Sequence, residues 1–549
     1  MATLDFKGKT LVQNYHLTVK YHELVPKKDK SISDKVRLDD NLIIHGDNLK
    51  ALKALLPTYA GKVKCICVDP PYNTGNERWA YNDNVNSPMM QEWLGKAVDR
   101  EDLKRHDKWL CMMLPRLKLL KELLRHDGVI FVSIDDNEIH HLRALMDEVF
   151  GEDNFVAMVT VLRNPKGGVM AEGFAQNHEF LLVYSNTAEL RDFAKDKSPE
   201  EIAAQYEEED ANGKFRTLEL RNTHRGFGKH NRPNLFFPLF VSADGSVSVE
   251  PGKQAIKILP IWDDGYDGCW TWNKEKCAKD SQLLVARMIG ERWKVFRKAY
   301  AQGATKKPTT VWQGPEFQTE KGQRLADEIF GERKFYAPKP LGLLKEIISF
   351  ATGPDDIVLD SFGGSGTTAH AVLALNKEDG GNRKFILVEC EDYADTITAE
   401  RVRRVIKGVK GASDENLKKG LGGTFSYFEL GKAIELDSIL DGKNLPSYLE
   451  LARYVFYTAT GEEFDERKLN EKRSFVGESK THEVYLFYQP DIDHLKKTAL
   501  TLERAESLGK IKDKRRLVFA PTKYLDQEQL DALRIDFAQL PFEIYKLAQ

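Results

Sequence analysis

The sequence predicts an α/β protein with an open sheet covered by helices. Two observations carry this prediction. Apolar, β-prone segments such as 63–68 and 357–359 alternate along the chain with amphipathic helical segments. Both of these segments stop abruptly in loops of polar, proline or glycine residues, which is how strands end at the carboxyl edge of an open sheet, where such folds bind their ligands.

Composition is that of an ordinary soluble globular protein with several domains. The chain of 549 residues is 41% hydrophobic and 30% charged, and it is too long for a single core. It contains no apolar run long enough to span a bilayer and no signal-peptide pattern, so we expect a cytoplasmic protein without a membrane partner. Six cysteines without a C-x-x-C pair predict reduced thiols and no metal site.

A strand–helix unit opens the predicted sheet. Residues 41–44 are β-prone and run into a Gly-Asp turn, after which the leucines of 49–56 line one face of a short helix. This unit leads into segment 63–68, which gives βαβ connectivity. Asp47 therefore lies at the carboxyl edge of the sheet and is a candidate cofactor contact, with helix capping as the alternative.

The loop after segment 63–68 is the candidate catalytic element. It reads Asp69-Pro70-Pro71-Tyr72, and its two prolines end the strand because neither can donate a ladder hydrogen bond. The Asp69 carboxylate and the Pro70 carbonyl can both accept hydrogen bonds from an exocyclic amine, while Tyr72 can stack on a base turned out of the duplex. An ordinary turn is the alternative for these four residues.

Further elements follow this loop. Residues 76–105 have little periodicity and suit a lid or a DNA contact better than packing. The remaining segments of this half are a helix, a buried strand, a helix and another strand, at 108–124, 129–134, 138–150 and 177–184. His178 in the last strand is a candidate functional residue, with a satisfied core or edge histidine as the favoured alternative.

Residues 191–330 are predicted to form an insertion between the two halves of the sheet domain. Periodicity weakens there, and charged, Gly, Pro and Trp residues multiply, which is typical of surface loops that vary in specificity. The net charge of the chain is −3, so any nucleic-acid surface has to be local. Between residues 292 and 339, eleven Lys or Arg stand against five Asp or Glu, with aromatic residues interleaved. That pattern favours a DNA-facing surface, and a solvated helix with a basic face is the alternative.

The second half of the sheet domain contains a glycine-rich loop. Residues 335–340 precede a helix, and the strand at 357–359 runs into Asp360-Ser-Phe-Gly-Gly-Ser-Gly-Thr-Thr368. Glycines let the backbone approach a ligand closely, and the helix that starts in this loop offers N–H groups. Glu389 closes the next strand, 23 residues after Gly366, a spacing that suits the two hydroxyls of a ribose. NAD, FAD and S-adenosylmethionine all fit these two features.

The two ends of the chain are weaker in pattern. Residues 1–40 are predicted to be an arm or a small addition to the sheet, and 425–430 to be one last strand. Residues 431–549 alternate between strand-like and helix-like segments, which predicts a small α/β domain for partner docking or dimer support. Extra DNA contact is the runner-up for this region.

Together, the two loops resemble those of the DNA amino-methyltransferases in the permuted β-class order, in which the target-amine half precedes the recognition insert and the cofactor half follows it. Longer phrases are similar to the modification (Mod) subunits of type III restriction systems: Asp69-Pro-Pro-Tyr-Asn-Thr-Gly75, Gly128-Val-Ile-Phe-Val-Ser-Ile-Asp-Asp-Asn-Glu138 and Lys339-Pro340. The resemblance spans roughly residues 40–410. It implies a Rossmann-like methyltransferase sheet that uses S-adenosylmethionine, with regions at 1–40, 41–190, 191–330, 331–430 and 431–549.

The resemblance also implies a role for each matched residue. Asp69, Pro70 and Tyr72 hold the target amine, and Pro71 shapes the loop. Glu389 binds the ribose, and the segment before the glycine loop flanks the methionine end of the cofactor. With Asp47 from the sheet edge, the candidate cofactor contacts are Phe335, Lys339, Pro340, Asp360, Phe362, Gly364, Gly366, Thr367 and Glu389. The methyl group then passes in line from sulfonium to nitrogen without a metal.

The leading hypothesis is a site-specific DNA adenine-N6 methyltransferase from a restriction or phage-defence system. Its candidate partners are double-stranded DNA, a second copy of the chain, and a restriction, helicase or nuclease subunit. The Asp of the Asp-Pro-Pro-Tyr loop favours adenine N6, because cytosine-N4 enzymes of this class more often have Ser there. The alternatives are a cytosine-N4 methyltransferase, a DNA-recognition subunit that delivers a nuclease or helicase and, least favoured, a nicotinamide-dependent oxidoreductase.

Overall fold

The computed structural model describes residues 3–74, 105–167, 173–187, 193–433, 445–509 and 513–540. Gly75 and residues 76–104 of the predicted lid lie outside the described residues. The chain divides into a larger unit, 1–193 with 309–549, and a smaller unit, 194–308. The smaller unit is shorter at both ends than the predicted insertion.

The structure contains the following elements. The strands are β1 (His22–Pro26), β2 (Leu42–His45), β3 (Val63–Val68), β4 (Leu124–Ile134), β5 (Phe155–Leu162), β6 (His178–Ser185), β7 (Lys195–Asp196), β8 (Glu208–Asp210), β9 (Gly213–Glu219), β10 (Leu239–Val241), β11 (Val247–Ser248), β12 (Ile256–Ile258), β13 (Leu284–Ile289), β14 (Arg292–Tyr300), β15 (Thr305–Lys306), β16 (Val311–Trp312), β17 (Ile357–Asp360), β18 (Lys384–Glu389), β19 (Ser426–Ala433), β20 (Phe475–Glu478), β21 (His482–Leu486), β22 (Arg515–Ala520) and β23 (Ile535–Gln539). The α-helices are α1 (Lys9–Val12), α2 (Tyr15–Thr18), α3 (Asn48–Tyr59), α4 (Arg105–Leu123), α5 (Ile139–Phe150), α6 (Pro199–Gln205), α7 (Lys274–Lys279), α8 (Thr319–Phe330), α9 (Leu341–Ala351), α10 (Thr367–Asp379), α11 (Glu400–Lys407), α12 (Glu415–Lys419), α13 (Tyr448–Thr460), α14 (Ile492–Lys497), α15 (Leu502–Ser507) and α16 (Gln527–Ala532).

A ten-stranded sheet organises the larger unit, in the order β1-β19-β2-β18-β17-β3-β4-β6-β5-β16. The run from β19 to β4 is parallel, while β1 and β6 are antiparallel to their neighbours. Strands β3 and β17 are direct neighbours, with Leu359 paired to Ile66. The two loops singled out in the sequence therefore leave the same sheet edge side by side, and the predicted α/β fold is confirmed.

Both faces of this sheet are covered. All six residues of β3 are buried, as expected for a central parallel strand with an apolar run. Helices α3, α4, α5 and α13 contribute Leu52, Trp109, Leu142 and Val455 to the core on one face. Helices α9, α10 and α11 contribute Ile347, Val372 and Val402 to the core on the other. Burying each such large apolar side chain contributes about 1.5–3 kcal/mol relative to leaving it exposed.

The two ends of the chain belong to the larger unit. Strand β1 joins the sheet edge beside β19, so the amino-terminal region is an addition to the sheet. The carboxyl-terminal region forms its own sheet, β20-β21-β22-β23. Helices α14 and α15 are separate, because Thr501 caps α15 by accepting a hydrogen bond from Arg504 N. Within the described ranges, no helix combines the length and apolarity needed to cross a membrane.

The smaller unit contains the sheets β13-β14-β9-β8, β11-β10-β12 and β15-β7. Its core includes Leu239, Trp270 and Val295. The basic and aromatic stretch predicted at 292–339 is divided between the two units. Trp312 and Phe317 are buried and stack on each other with ring centroids 5.4 Å apart. The expectation that these two rings face DNA is therefore wrong, since they are core residues.

Candidate active site

A cavity of about 700 Å³ opens at the sheet edge where β3 and β17 end. Its size lies in the range typical of small-molecule sites, about 300–1,000 Å³. The lining includes ten of the residues singled out from the sequence: Asp69, Pro70, Tyr72, Phe335, Lys339, Pro340, Asp360, Phe362, Gly364 and Thr367. The cavity thus brings the candidate catalytic loop and the candidate cofactor loop together.

Four predicted residues lie beside this cavity without lining it. Pro71 accepts a hydrogen bond on its carbonyl from Trp109 Nε1 at 2.6 Å, which fixes the loop shape. Gly366 precedes α10 with φ 77°, and a Cβ there would lie 2.9 Å from the Thr398 carbonyl oxygen, so only glycine fits. Glu389 and Asp47 also stand back from the cavity.

Asp47 performs the alternative role of a helix cap. Its carboxylate accepts from Lys50 N at 3.1 Å at the start of α3 and pairs with the buried Arg116 at 3.2 Å. A cofactor contact by Asp47 therefore stays a prediction. His178 is half-buried, and its ring packs edge-on against Phe180 with centroids 4.9 Å apart, which matches the favoured reading of an edge histidine.

The catalytic loop is fastened through Asn73, which follows Tyr72 and has a left-handed φ of 58°. Its Nδ2 donates to Oε1 of Glu138 at 2.5 Å. Glu138 is completely buried, and its two oxygens also lie 2.7 Å from His106 Nδ1 and 2.8 Å from His141 Nδ1. Such strain in a non-glycine residue persists only where its surroundings over-determine it, and Glu138 supplies that restraint.

His106, Glu138 and His141 also have the chemistry of a metal-ligand trio, with ligand atoms within 4.8 Å of one another. Both Glu138 oxygens, however, already accept hydrogen bonds from the amide and the imidazoles. We therefore assign the cluster to holding the loop. The sequence did not single it out, although Asn73 and Glu138 lie in the quoted phrases.

Lys339 connects the catalytic loop to a carboxylate that the sequence analysis missed. Its Nζ lies 3.2 Å from Asp69 Oδ1, 2.8 Å from Glu179 Oε2 and 2.5 Å from Tyr72 Oη. Tyr72 in turn donates to Glu179 Oε2 at 3.2 Å. Glu179 is the second residue of β6 and is buried, so one ammonium serves two carboxylates at the cavity wall. The sequence signal that could have identified Glu179 is an acidic residue within the mostly apolar strand His-Glu-Phe-Leu-Leu-Val.

The charges of this network act against one another. Burial raises the pKa of Asp69, the Lys339 ammonium opposes that rise, and the nearby Glu179 carboxylate adds to it. The two carboxylates keep the pKa of Lys339 above its usual value even though burial opposes this. The lysine is therefore charged, and it favours the ionised form of Asp69.

The glycine-rich loop is built on two buried acids. Asp360 accepts from Phe362 N at 3.0 Å and from Thr368 Oγ1 at 2.6 Å, and burial raises its pKa to about 8. Glu389 accepts from Gly364 N at 2.6 Å, and burial raises its pKa to about 7. The two carboxylates therefore hold the loop backbone at Phe362 and Gly364. Phe335 packs 3.6 Å from where a Cβ on Gly364 would lie, which closes the cavity wall.

The smaller unit has a cationic and aromatic loop of its own. No Asp or Glu occurs between Glu219 and Asp244, while Arg225, Phe227 and Lys229 in that stretch are exposed. Arg225 lies over the Trp262 ring, 4.6 Å from its centroid. Interleaved cations and rings of this kind suit contact with a nucleic-acid backbone and its bases.

Comparison with known proteins identifies the family. Residues 63–400 match a family model of N6 and N4 methyltransferases described as DNA methylase. The Mod subunit of the type III restriction-modification enzyme EcoPI from Escherichia phage P1 is 32% identical over 431 residues, which are 72% of this chain and 67% of that protein. The type II methyltransferase M.KpnI from Klebsiella pneumoniae is 37% identical over 349 residues, 63% of this chain and 79% of that protein.

Among solved structures, the PvuII DNA methyltransferase (cytosine-N4-specific) aligns with 66% of this chain and 86% of its own, with a TM-score of 0.33 and 13% identity. The family match includes the catalytic loop, the glycine-rich loop and everything between them. The resemblance to Mod subunits that the sequence motifs indicated is confirmed by the EcoPI relative. The chain belongs to the N6/N4 DNA methylase family and is a DNA methyltransferase.

Proposed function

We propose that this chain transfers a methyl group from S-adenosylmethionine to N6 of an adenine turned out of double-stranded DNA at a specific site. The observation that carries the proposal is that Asp69, Pro70 and Tyr72 line the same cavity as Phe362 and the glycine-rich loop. One cavity therefore contains both the hydrogen-bond acceptors for the target amine and the pocket for the methyl donor. Asp rather than Ser at position 69 favours adenine.

The residues present fit this cofactor. Glu389 lies behind the glycine loop, and its carboxylate is an acceptor suited to two ribose hydroxyls. Burial raises its pKa, whereas hydrogen bonds donated by the ribose hydroxyls would favour its ionised form. Phe335 and Phe362 supply apolar walls. When bound, S-adenosylmethionine supplies the electrophilic methyl group.

The chain's own residues would position the amine. Asp69 and the Pro70 carbonyl accept one N–H each, which holds the nitrogen lone pair toward the methyl donor. Tyr72 offers its ring to the extruded base, as aromatic side chains do in base-flipping enzymes. Lys339 favours the ionised form of Asp69, and the ionised carboxylate can take the proton that the nitrogen loses on methylation.

We also propose that the smaller unit reads the DNA sequence and that the chain works in a restriction or phage-defence system in the cytoplasm. The name of the EcoPI relative, a Mod subunit of a type III restriction-modification enzyme, supports a restriction subunit as partner. A second copy of the chain is the other candidate partner, for which residues 431–549 are a candidate docking region.

The test is single-molecule sequencing of DNA from a methylation-free host that expresses this chain or its Asp69→Ala variant. A modified-adenine motif present only with the intact chain is the expected result. Nucleoside mass analysis that found N4-methylcytosine would overturn the adenine assignment. If no base were modified in either strain, and Asp69→Ala still recruited a co-purifying nuclease or helicase, the chain would be a recognition subunit.

A further inference from the structure

An arginine without an acidic partner lines the cavity. Arg163 directly follows β5 and is half-buried. Within the described part of the chain, its guanidinium makes no hydrogen bond and no ion pair. A guanidinium keeps its charge and offers five N–H donors. An unpaired guanidinium at a cavity wall can therefore receive an anionic group of a ligand.

The backbone of Arg163 is held on both sides. Its N–H donates to the Asn177 carbonyl at 3.0 Å, and its carbonyl accepts a hydrogen bond from Thr319 N at 3.0 Å. Asn177 directly precedes β6, and Thr319 starts α8. The start of the side chain is thus fixed by two elements of the larger unit while its guanidinium has no partner, which preorganises the residue for binding.

The acid nearest in charge to Arg163 is satisfied by another residue. Asp135 Oδ1 accepts from Asn137 N at 2.9 Å, and both Asp135 oxygens accept from Asn137 Nδ2 at 3.0 and 2.9 Å. Burial raises the pKa of Asp135, and the hydrogen bonds from Asn137 and the charge of Arg163 oppose that rise. The guanidinium therefore acts on Asp135 through space without being paired to it.

The charge balance of the cavity wall gives Arg163 a specific task. Among the described residues that line the cavity, Arg163 and Lys339 are the cations, and Lys339 already pairs with Asp69 and Glu179. The acids that line the same cavity are Asp69, Asp135, Glu179 and Asp360. Acids repel an approaching anion, so an anionic part of the substrate needs a cation that is not engaged elsewhere. Arg163 meets that requirement.

Arg163 also lies on the side of the catalytic loop away from the glycine-rich loop. In the sheet order, β17 flanks β3 on one side, and β4, β6 and β5 follow on the other. The glycine-rich loop leaves β17, whereas Arg163 leaves β5. Burial and nearby carboxylates raise the pKa of Tyr72, and the charge of Arg163 opposes that rise. The guanidinium is thus close enough to act on the ring that would stack on the base.

We propose that Arg163 binds a phosphodiester next to the flipped adenine and so seats the target nucleotide in the cavity. Turning a nucleotide out of the duplex is a rotation about its backbone, which brings its flanking phosphates to the mouth of the pocket. A guanidinium matches two oxygens of one phosphate. This contact positions the base beside Tyr72 without reading its sequence. The inference rests on the proposed function.

The test uses duplexes with the motif found by sequencing, in which the phosphodiester on the 5′ or the 3′ side of the target adenine is replaced by a neutral methylphosphonate. We expect one of the two replacements to lower kcat/KM of the intact chain about 10- to 100-fold, the range of charge-assisted hydrogen bonds. Arg163→Met should lose the same factor on the unmodified duplex. On the modified duplex it should lose less than about twofold more, because the contact is already absent. Arg163→Lys should recover part of the activity.

Lys166→Met is the matched control. Lys166 is an exposed cation of the same loop that does not line the cavity, so this variant should respond to the methylphosphonate as the intact chain does. No effect of either replacement on the intact chain, or an undiminished effect in Arg163→Met, would contradict the phosphate contact.

Calorimetry with S-adenosylmethionine distinguishes the other source of an anion, the carboxylate of the cofactor. Arg163→Met should bind S-adenosylmethionine with the affinity of the intact chain. Weaker binding by this variant would assign Arg163 to the cofactor and overturn the proposal. Failure of the intact chain to methylate adenine in the unmodified duplex would instead overturn the proposed function.

Discussion

The ammonium nitrogen of Lys339 lies 3.2 Å from Oδ1 of Asp69, which joins a residue of the second half of the sheet domain to the catalytic loop of the first. Burial raises the pKa of Asp69 and Lys339 counteracts it. In Lys339→Met that opposing charge is lost, so the pKa of Asp69 rises further. We expect the acid limb of the kcat–pH profile to move to higher pH, with kcat near neutrality falling about 10- to 100-fold. Methyl-transfer assays between pH 5 and 9 measure this kcat–pH profile.

Glu179→Gln provides the matched opposite change. Glu179 raises the pKa of Asp69, so the neutral amide should move the acid limb to lower pH. Its amide oxygen can still accept a hydrogen bond from Lys339 or Tyr72. Shifts of both variants in the same direction would contradict the electrostatic account of this network.

The contact between Asn73 and Glu138 should control kcat rather than cofactor binding. Glu138→Ala leaves Asn73, His106 and His141 without their shared acceptor, so the catalytic loop relaxes. Because misplacement by about 1 Å can cost about 100-fold in rate, we expect kcat to fall about 10- to 100-fold. Affinity for S-adenosylmethionine should change by less than about twofold, because Glu138 contacts the catalytic loop and does not line the cavity. Mutations at sites without shared contacts are usually close to additive.

Calorimetry and single-turnover methylation with Glu138→Ala separate these two quantities. His126→Ala, an exposed histidine at the start of β4, is the control for removal of an imidazole and should behave as the intact chain. Equal loss of cofactor affinity and of rate in Glu138→Ala would mean that the cluster supports the whole fold instead.

Cofactor affinity should depend on pH through Glu389. Burial raises its pKa to about 7, and ribose hydroxyls donate to the ionised form. Below pH 7 the carboxyl group has to release a proton before it can accept both hydroxyls, so affinity should fall as the pH drops from 8 to 6. Glu389→Gln should bind more weakly at pH 8 and lose most of this dependence. Calorimetry at both pH values is the measurement, and an unchanged pH dependence in the variant would count against the ribose contact.

DNA contact by the smaller unit predicts a change in salt dependence. If Arg225 and Lys229 each neutralise a phosphate, their alanine variants should weaken DNA binding and lower the slope of log affinity against log salt by about one each. Lys253→Ala, also exposed in this unit, is the control. Fluorescence anisotropy with a duplex of the motif found by sequencing gives these slopes, and slopes equal to that of the intact chain would remove this loop from the interface.

The adjacency of the two loops was predictable because strand ends follow a rule. Asp69 and Asp360 both close apolar segments, and carboxyl ends of parallel strands share one edge. Glu179 was missed for a related reason. Strand β6 runs antiparallel to β4, with Phe180 opposite Ile134, so its first residues arrive at the catalytic edge. The alternation of apolar and polar residues along a strand does not reveal whether that strand runs parallel or antiparallel to its neighbours.

Contacts between side chains that are distant in the sequence also could not be predicted from the sequence. Arg401 lies in an ordinary amphipathic segment, and only the packing of α11 behind the glycine loop reveals that its guanidinium donates to Ser365 and Thr367. The aromatic residues Trp312 and Phe317 matched a nucleic-acid pattern in composition, yet they stack inside the core. Residue type alone does not distinguish a ring that stacks on a base from one that stacks on a neighbour.

The pairing of β3 with β17 also determines when the active site can form during synthesis of the chain. Ribosomes complete β3 almost three hundred residues before β17. During the synthesis of the intervening residues, β3 therefore lacks its β17 neighbour and is unpaired on one side. An open apolar edge of that kind is a template for wrong association. Fragments that end within the smaller unit should therefore aggregate or need chaperones, and the methyl-transfer centre should form only late in translation.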